Sequence, residues 1–391
     1  MKSYQNKNLH IPHIEDLVLL KRDEGLKWII SVFKWLYKKS FNYNINDFKI
    51  SIKMDGSPAI YCFSDFYNLG KNGIATKSMF IKEPKILYTE KDILKYYEDR
   101  PNLIKKLSCA LEYIPYMNIP KNEIWQGDYL FDQNSLHNLS LSNKEFLYFH
   151  PNTIIYCAKN GSKQYEEIKN SKLGVAWHTI YKGSDLNDCK ASYCIDLNRS
   201  HNDIFVFDPY IKNIDISNED RNLIEDILKI IINKEINLSF LDKSIVDLLM
   251  RFENEQIKNS QKLDLNTFYE RFPIYITEQF EKEISNKKTV KGKEFTKIRM
   301  KYLLDITEKE EFKSILFLLI NIIQLKEIFI KTLNKNKVFE TYVKTKEGDF
   351  KKVGHEGFVI SDKCCNSCKL VNRSEFSRYN FDNNIEKGWE K

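Results

Sequence analysis

The sequence has no apolar run long enough to span a membrane. Its longest apolar stretch, residues 314–325 (SILFLLINIIQL), is interrupted by Asn321 and Gln324 and predicts a buried helix. The first residues (MKSYQNKNLHIPHIEDL) also lack the apolar run and the cleavage site of a secretory signal. We therefore expect a cytoplasmic protein with no membrane partner, whose eight cysteines are free thiols.

Arginine is scarce as well. Only nine of the 61 Lys+Arg residues are arginine, so the formal charge of +7 comes mostly from lysine ammonium groups, with few bidentate guanidinium groups. Hydrophobic residues make up 42% of the chain and aromatic residues 13%, which excludes disorder of the whole chain. The 391 residues suggest two domains, or one large domain with an insertion.

The sequence contains no internal repeat, heptad run or low-complexity linker. Helical periodicity over residues 23–39 and from Lys91 to about Tyr113 contrasts with strand-like alternation elsewhere. Predicted strands lie at 50–54, 59–63, 74–80, 123–131, 153–158, 173–181, 203–207 and 350–360. Residues 216–332 are helical in pattern and contain one glycine, Gly292. This pattern predicts an α+β protein of mixed, mainly antiparallel sheets with flanking helices, divided into core residues 1–210, a helical insertion 211–345 and core residues 346–391.

The segment Lys53-Met54-Asp55-Gly56 stands at the end of a predicted strand, before a Ser57-Pro58 turn. Such a turn holds a lysine amine at the rim of a sheet. An amine becomes a nucleophile only when burial or neighbouring cations lower its pKa. Taken alone, the segment is equally typical of an ordinary strand-turn-strand.

Five further short segments that contain charged residues or glycine follow along the chain. Most are strand-like and end in a charged residue or glycine, as expected of a nucleotide cleft lined by several strands. They are Thr76-Lys77-Ser78, residues 125–130 (WQGDYL), 174–178 (GVAWH), 356–360 (EGFVI) and 369–373 (KLVNR).

With these segments the chain resembles the covalent lysine nucleotidyltransferase superfamily of ATP-dependent DNA and RNA ligases and mRNA capping enzymes. The resemblance implies a ligase-type core, ATP or GTP as nucleotide, Mg²⁺ or Mn²⁺, and a lysyl-AMP that passes its nucleotide to a 5′-phosphorylated strand. The implied site residues are Lys53 as nucleophile, Asp55 and Gly56 beside it, Lys77 near the ribose, Asp128 and Glu356 as acids and metal ligands, Trp177 stacked on the base, Lys369 at the α-phosphate, and Arg373.

Within the superfamily, the chain is most similar to an uncharacterised RNA-ligase-like group of tailed phages and large DNA viruses. That similarity rests on residues 149–153 (FHPNT) and 354–357 (GHEG), followed by Phe376-Ser377, and implies the host cytoplasm as location. Only 18 residues follow Arg373, which leaves no room for the oligonucleotide-binding barrel of DNA ligases and capping enzymes. RNA with 5′-phosphate and 3′-hydroxyl ends is therefore the expected partner.

The chain departs from the family pattern at three positions. Asp128 stands where glutamate is usual, and Ile52 precedes the nucleophile where some RNA ligases carry an acid. Val371 stands where a second lysine is usual, so one phosphate contact is missing unless Arg373 or Lys369 compensates. Two other readings therefore stay open: nucleotidyl transfer to a protein or an RNA cap, and a catalytically degenerate fold that binds nucleotide or nucleic acid.

Two sequence features outside the motifs have alternative interpretations. Lys293, Lys297 and Lys301 recur every four residues and predict either a phosphate-binding track on one helix face or a solvated surface. The cluster at 364–368 (CCNSC) predicts a thiol-bearing hairpin loop, with a zinc site as the alternative.

Overall fold

Most helices form where the spacing of apolar residues predicts them, but the helices at residues 163–170 and 373–381 were not predicted. The computed structural model describes residues 11–43, 45–65, 70–141, 143–186, 188–193, 201–207, 210–336 and 338–389. Its α-helices are α1 (Asp16–Lys39), α2 (Glu90–Tyr97), α3 (Pro101–Tyr113), α4 (Lys163–Asn170), α5 (Asn218–Asn233), α6 (Lys243–Lys258), α7 (Phe272–Asn286), α8 (Val290–Thr307), α9 (Glu310–Leu333) and α10 (Arg373–Phe381). No helix in these ranges is both long and apolar enough to cross a membrane.

The strands form three sheets, and nearly all pairings are antiparallel. In chain order they are β1 (Phe48–Lys53), β2 (Ala59–Ser64), β3 (Asn72–Ala75), β4 (Ile86–Leu87), β5 (Glu123–Asp132), β6 (His137–Leu141), β7 (Lys144–Phe149), β8 (Ile155–Lys159), β9 (Leu173–Lys182), β10 (Lys190–Ser192), β11 (Ile204–Val206), β12 (Glu340–Lys344), β13 (Phe350–Val353), β14 (Gly357–Asp362) and β15 (Ser367–Val371). The predicted α+β class with antiparallel sheets is confirmed.

The smallest sheet has the order β1-β14-β15. Ile50 and Ile52 alternate with polar residues along β1, and their side chains are buried in the main apolar cluster. The period-2 geometry of a strand therefore directs Ser51 and Lys53 to the opposite face. Lys53 pairs in register with Gly357, which brings the end of β1 next to the start of β14.

The largest sheet has the order β10-β9-β5-β2-β3-β4, with β11 added parallel to β9. One of its faces packs against α2 and α3 through an apolar cluster that includes Trp125 and Trp177. The next strand of the chain after β1 is β2, so the turn at residues 54–58 joins this sheet to the smallest one. Gly56 lies in that turn.

The third sheet has the order β13-β12-β8-β7-β6 and joins distant parts of the chain. Its strands β6 and β7 have no counterpart among the predicted strands. Because β12 pairs with β8, residues 340–344 belong to this sheet although the predicted insertion extends to residue 345.

The helices α5–α9 share an apolar cluster with the β1-β14-β15 sheet, and α9 packs against β15. One apolar cluster runs without interruption from α1 and β1 through these helices to β14 and β15. Polar side chains cap several of the helices: Ser217 for α5, Asp242 for α6 and Thr289 for α8. The predicted buried helix at 314–325 is the central part of α9.

Three predicted elements differ from the structure. Residues 74–80 are not one strand, because β3 ends at Ala75 and a 3₁₀ helix follows over Lys77–Phe80. The single helix predicted over 91–113 is broken before Pro101, which begins α3 at a position where proline is favourable. The strand predicted over 350–360 is two strands, β13 and β14, which lie in different sheets.

Candidate active site

The candidate site is centred on an ion pair between Lys53 and Glu356. Lys53 is the last residue of β1, and Glu356 immediately precedes β14, the neighbouring strand. The Lys53 Nζ donates a hydrogen bond to Glu356 Oε2. Their side chains keep 30% and 16% of their exposure, so the pair lies at the rim of the sheet within reach of solvent. Two residues that are 303 positions apart in sequence are thus brought together as predicted.

Burial and nearby charge act in opposite directions on the two partners. Desolvation raises the pKa of Glu356 to about 7, although the Lys53 cation opposes this, and the carboxylates of Asp55 and Asp128 add to the rise. Desolvation lowers the pKa of Lys53, but the charges of Glu356, Asp55 and Asp128 outweigh it and leave that pKa raised. The amine of Lys53 is therefore held in its protonated form by the acids around it.

Asp128 faces the same region from β5. Its neighbour across the strand pair is Ala176, and its Oδ1 lies 3.8 Å from His178 Nε2 on β9. Gly56 packs against it, since a Cβ at that position would lie 2.6 Å from Asp128 Cβ and 2.8 Å from the Tyr129 carbonyl oxygen. The close approach of this turn to β5 therefore requires glycine.

The Asp55 carboxylate binds protein groups, whereas the sequence predicted that it contacts the nucleotide. Its carboxylate accepts hydrogen bonds from Asn152 Nδ2 at 2.7 Å, from Thr153 N at 2.9 Å and from Ile154 N at 3.3 Å. Both carboxylate oxygens are used and the residue is 9% exposed, so the predicted contact of Asp55 with nucleotide is not supported by its position. Asp55 instead fixes the turn after Lys53 to residues 152–154, which explains part of the FHPNT segment.

Lys369 lies on the same face of the β1-β14-β15 sheet as Lys53. It pairs with Val359, which in turn pairs with Ser51, two residues before Lys53. Burial lowers the pKa of Lys369, and the positive charge of Lys53 lowers it further. Two ammonium groups and the carboxylate of Glu356 thus converge from three adjacent strands.

Trp177 does not lie in the cleft. It is 4% exposed and packs edge-on against Trp125 in the apolar cluster behind the large sheet. Because successive residues of β9 face opposite sides, His178 and not Trp177 shares the face of Asp128. The predicted stacking of Trp177 on a base is wrong for this arrangement.

Arg373 is also placed elsewhere than predicted. The side chain is 7% exposed and binds Glu253 Oε2 at 3.3 Å and Asn254 Oδ1 at 2.7 Å, with Glu15 and Asp16 each 3.6 Å from its Nη1. It ties α10 to α1 and α6. With its guanidinium group surrounded by carboxylates, it cannot substitute for the second lysine that Val371 replaces.

Three lysines predicted to bind nucleic acid lie away from this ion pair. Lys293, Lys297 and Lys301 are exposed on α8, next to Phe295 and Ile298, which are 63% and 67% exposed. Lys77 is exposed at the start of the 3₁₀ helix that follows β3.

The cysteine cluster occupies the turn between β14 and β15, which confirms the predicted hairpin loop. Cys364 is exposed, whereas Cys368 is a buried residue of β15 itself. The seven cysteines of the described ranges form no disulfide with one another. His355 is buried in the loop before β14, where its Nε2 lies 3.2 Å from the Asn336 carbonyl oxygen.

The residues around Lys53 have the chemistry that Mg²⁺ or Mn²⁺ prefers. Glu356 and Asp128 supply hard carboxylate oxygens, and magnesium sites at phosphates use one or two carboxylates together with the phosphates themselves. Within the described parts of the chain, no group of three or more His, Cys, Asp and Glu side chains could hold a metal ion alone.

Comparison with known proteins gives one match. Residues 8–386 match the family model DUF6267, described as a family of unknown function. No curated protein and no solved structure matches the chain.

Proposed function

The chain belongs to the DUF6267 family, whose function is unknown, and we propose from its own residues that it is a ligase-type covalent nucleotidyltransferase. The observation that carries the proposal is the ion pair of Lys53 with Glu356, with Lys369 on the same face of the sheet. A lysine, an acid and a second cation at the rim of a sheet are the groups that nucleotide transfer to lysine needs. ATP is the proposed nucleotide, with GTP as an alternative.

In the proposed first step, the Lys53 amine attacks the α-phosphorus of the nucleotide. The bond from nitrogen to phosphorus forms, the bond from the α-phosphorus to the bridging oxygen breaks, and pyrophosphate leaves. Lys53 must lose its proton before attack, and the Glu356 carboxylate that binds the amine is placed to accept it. Lys369 would stabilise the negative charge that develops on the phosphoryl oxygens.

Glu356 and Asp128 are the side chains that would hold the metal. When bound, a divalent ion neutralises phosphate charge and orients the triphosphate. Glu356 binds the Lys53 amine through Oε2, which leaves its other carboxylate oxygen and Asp128 available for the metal.

The pH dependence of covalent attachment follows from the pKa of Glu356. This carboxyl is largely protonated below about pH 7 and cannot then bind metal or accept a proton. Ionisation of Glu356 and deprotonation of Lys53 both increase with pH, so the single-turnover rate should rise from about pH 6 to about pH 9. The Glu356→Gln variant should lose the inflection near pH 7, and a wild-type rate that is flat or falls over this range would contradict the assignment.

Nucleic acid with a 5′-phosphate is the proposed acceptor. The lysyl nucleotide would pass to that phosphate, and a 3′-hydroxyl would then displace the nucleotide to join the ends. The test is to incubate the protein, Mg²⁺ and α-labelled ATP or GTP with 5′-phosphorylated RNA, 5′-phosphorylated DNA, or no acceptor. Label that leaves the protein for RNA, together with joined strands, supports ligation. Label that stays on Lys53 in the presence of both phosphorylated acceptors rejects transfer to a 5′-phosphate and favours transfer to another protein or to an RNA cap.

The degenerate alternative is favoured by one observation. Val371 stands where the family's second lysine is usual, and Arg373 is bound by buried carboxylates and cannot replace it. A chain that binds nucleotide or nucleic acid without forming a covalent adduct would show nucleotide affinity but no label in that experiment.

The basic face of α8 is the proposed path for the RNA backbone. Lys297 and Lys301 are exposed on one face, next to apolar side chains on which bases could stack.

Replacing both Lys297 and Lys301 by glutamine should lower RNA affinity and reduce the slope of log affinity against log salt by about 1.4, since each phosphate contact to a single strand contributes about 0.7. The matched control replaces Lys163 and Lys169, two exposed lysines of α4, and should leave the slope unchanged. Equal effects from both pairs would reject α8 as the path.

A further inference from the structure

A short segment before α1 extends the small sheet by one more chain. Lys369 N donates to the Pro12 carbonyl oxygen at 2.9 Å, and Ile14 N donates to the Lys369 carbonyl oxygen at 3.1 Å. These two bonds form a parallel bridge between His13 and Lys369. The residue order across the sheet is therefore Ser51, Val359, Lys369 and His13, each on a neighbouring strand or segment.

Residues in one such row point to the same face of a sheet. Phe358 and Leu370, which are adjacent in sequence to Val359 and Lys369, are fully buried on the other face. The row that contains Lys369 and His13 is thus on the face to which Lys53 belongs. His13 stands directly beside Lys369 in this row.

Four cations lie near His13, of which Lys53, Lys326 and Arg373 are paired with carboxylates. Burial lowers the pKa of the His13 imidazole, and the charges of Lys369, Arg373, Lys326 and Lys53 lower it further. Its Nδ1 is shielded from solvent and has no hydrogen-bond partner among the described residues. A shielded polar nitrogen without a partner is costly unless a ligand supplies one.

We propose that His13 is part of the phosphate site and donates a hydrogen bond from its imidazole to a phosphate oxygen beside Lys369. The inference rests on the proposed function and extends it to a residue outside the motifs. A bound polyanion would give the imidazole a hydrogen-bond acceptor and would also place negative charge beside the ammonium groups of Lys53 and Lys369. His13 binds and orients the triphosphate; it exchanges no proton with the reacting atoms.

The kinetic test compares His13→Leu, which removes the donor, with His13→Gln, which retains one. In single-turnover adduct formation, His13→Leu should raise the half-saturating ATP concentration about tenfold, because a hydrogen bond to a charged group is lost. His13→Gln should recover most of that loss. The control His137→Leu, at an exposed histidine of β6, should behave as wild type. Wild-type saturation in His13→Leu would overturn the role of His13 and leave the proposed function standing.

A second measurement does not depend on catalytic activity or on correct folding of the His13→Leu variant. In ¹⁵N-histidine-labelled protein, the His13 imidazole resonances, assigned by their absence in His13→Gln, should shift when inorganic tripolyphosphate is added. Unshifted His13 resonances at saturating tripolyphosphate, or failure of tripolyphosphate to bind, would overturn the inference. A shift without any covalent adduct would support the phosphate site and reject the proposed transfer reaction.

Discussion

Replacement of Lys53 by arginine should abolish covalent nucleotide attachment while the protein stays folded. Arginine keeps the positive charge and can pair with Glu356, but its guanidinium group does not lose a proton in proteins and is no nucleophile. The adduct rate should fall by at least about 1000-fold, as for removal of other covalent nucleophiles. The measurement is single-turnover transfer of α-labelled ATP to the protein.

Lys49→Arg provides the matched control for this variant. Lys49 lies on the same strand and contacts the ring of Tyr210 through its ammonium group, a contact that arginine can also make. Its adduct rate should be that of wild type. Persistence of the label in Lys53→Arg would show that the covalent bond forms at another residue.

Replacement of Arg373 by methionine should cause a large loss of stability. The change would leave Glu15, Asp16 and Glu253 buried without their shared cation, although Lys326 still pairs with Glu15. Removing one partner of a buried ion pair costs about 3–5 kcal/mol of unfolding free energy. Urea unfolding followed by circular dichroism measures the loss.

The acids around Arg373 also set the pH dependence of that loss. Burial raises the pKa of Glu253 to about 8, so the folded chain binds a proton there that the unfolded chain releases near pH 4.5. Stability contributed by this group therefore falls as pH rises through that window, and the fall extends to higher pH once Arg373, whose charge lowers this pKa, is gone. The control Arg378→Met, at an exposed position of α10, should change stability by less than about 0.5 kcal/mol. Similar losses for the two variants would contradict the network.

Local patterns in the sequence are sufficient for the elements that flank the site. Alternation at Ile50 and Ile52 predicts β1 and the face on which Lys53 lies, because side-chain direction in a strand depends only on sequence parity. The long helix α9 follows from its continuous apolar composition. Where the pattern is short or ambiguous, as at residues 74–80, the tertiary contacts of the 3₁₀ helix override it.

The chemistry of the site was predictable only in part. The family resemblance predicts that Lys53, Glu356 and Lys369 approach one another. The sheet register brings Lys53 and Lys369 to one face, and an ion pair joins Glu356 to Lys53. The alternation of side chains along a strand indicates that Trp177 and His178 face opposite sides of β9. It does not indicate which of the two sides faces the cleft. The partners of Arg373 lie 119 or more positions away, and no local signal indicates them. His13 carries no motif and is recognised only through its bridge to Lys369.

The central claim is that Lys53 carries a nucleotide covalently, and peptide mapping by mass spectrometry tests it most directly. The protein is incubated with ATP and Mg²⁺, digested under non-acidic conditions that preserve a phosphoramidate, and its peptides are fragmented. We predict a nucleoside monophosphate on Lys53 that is absent from Lys53→Arg. An adduct on a different residue, or no adduct with either ATP or GTP from folded protein, would contradict the account.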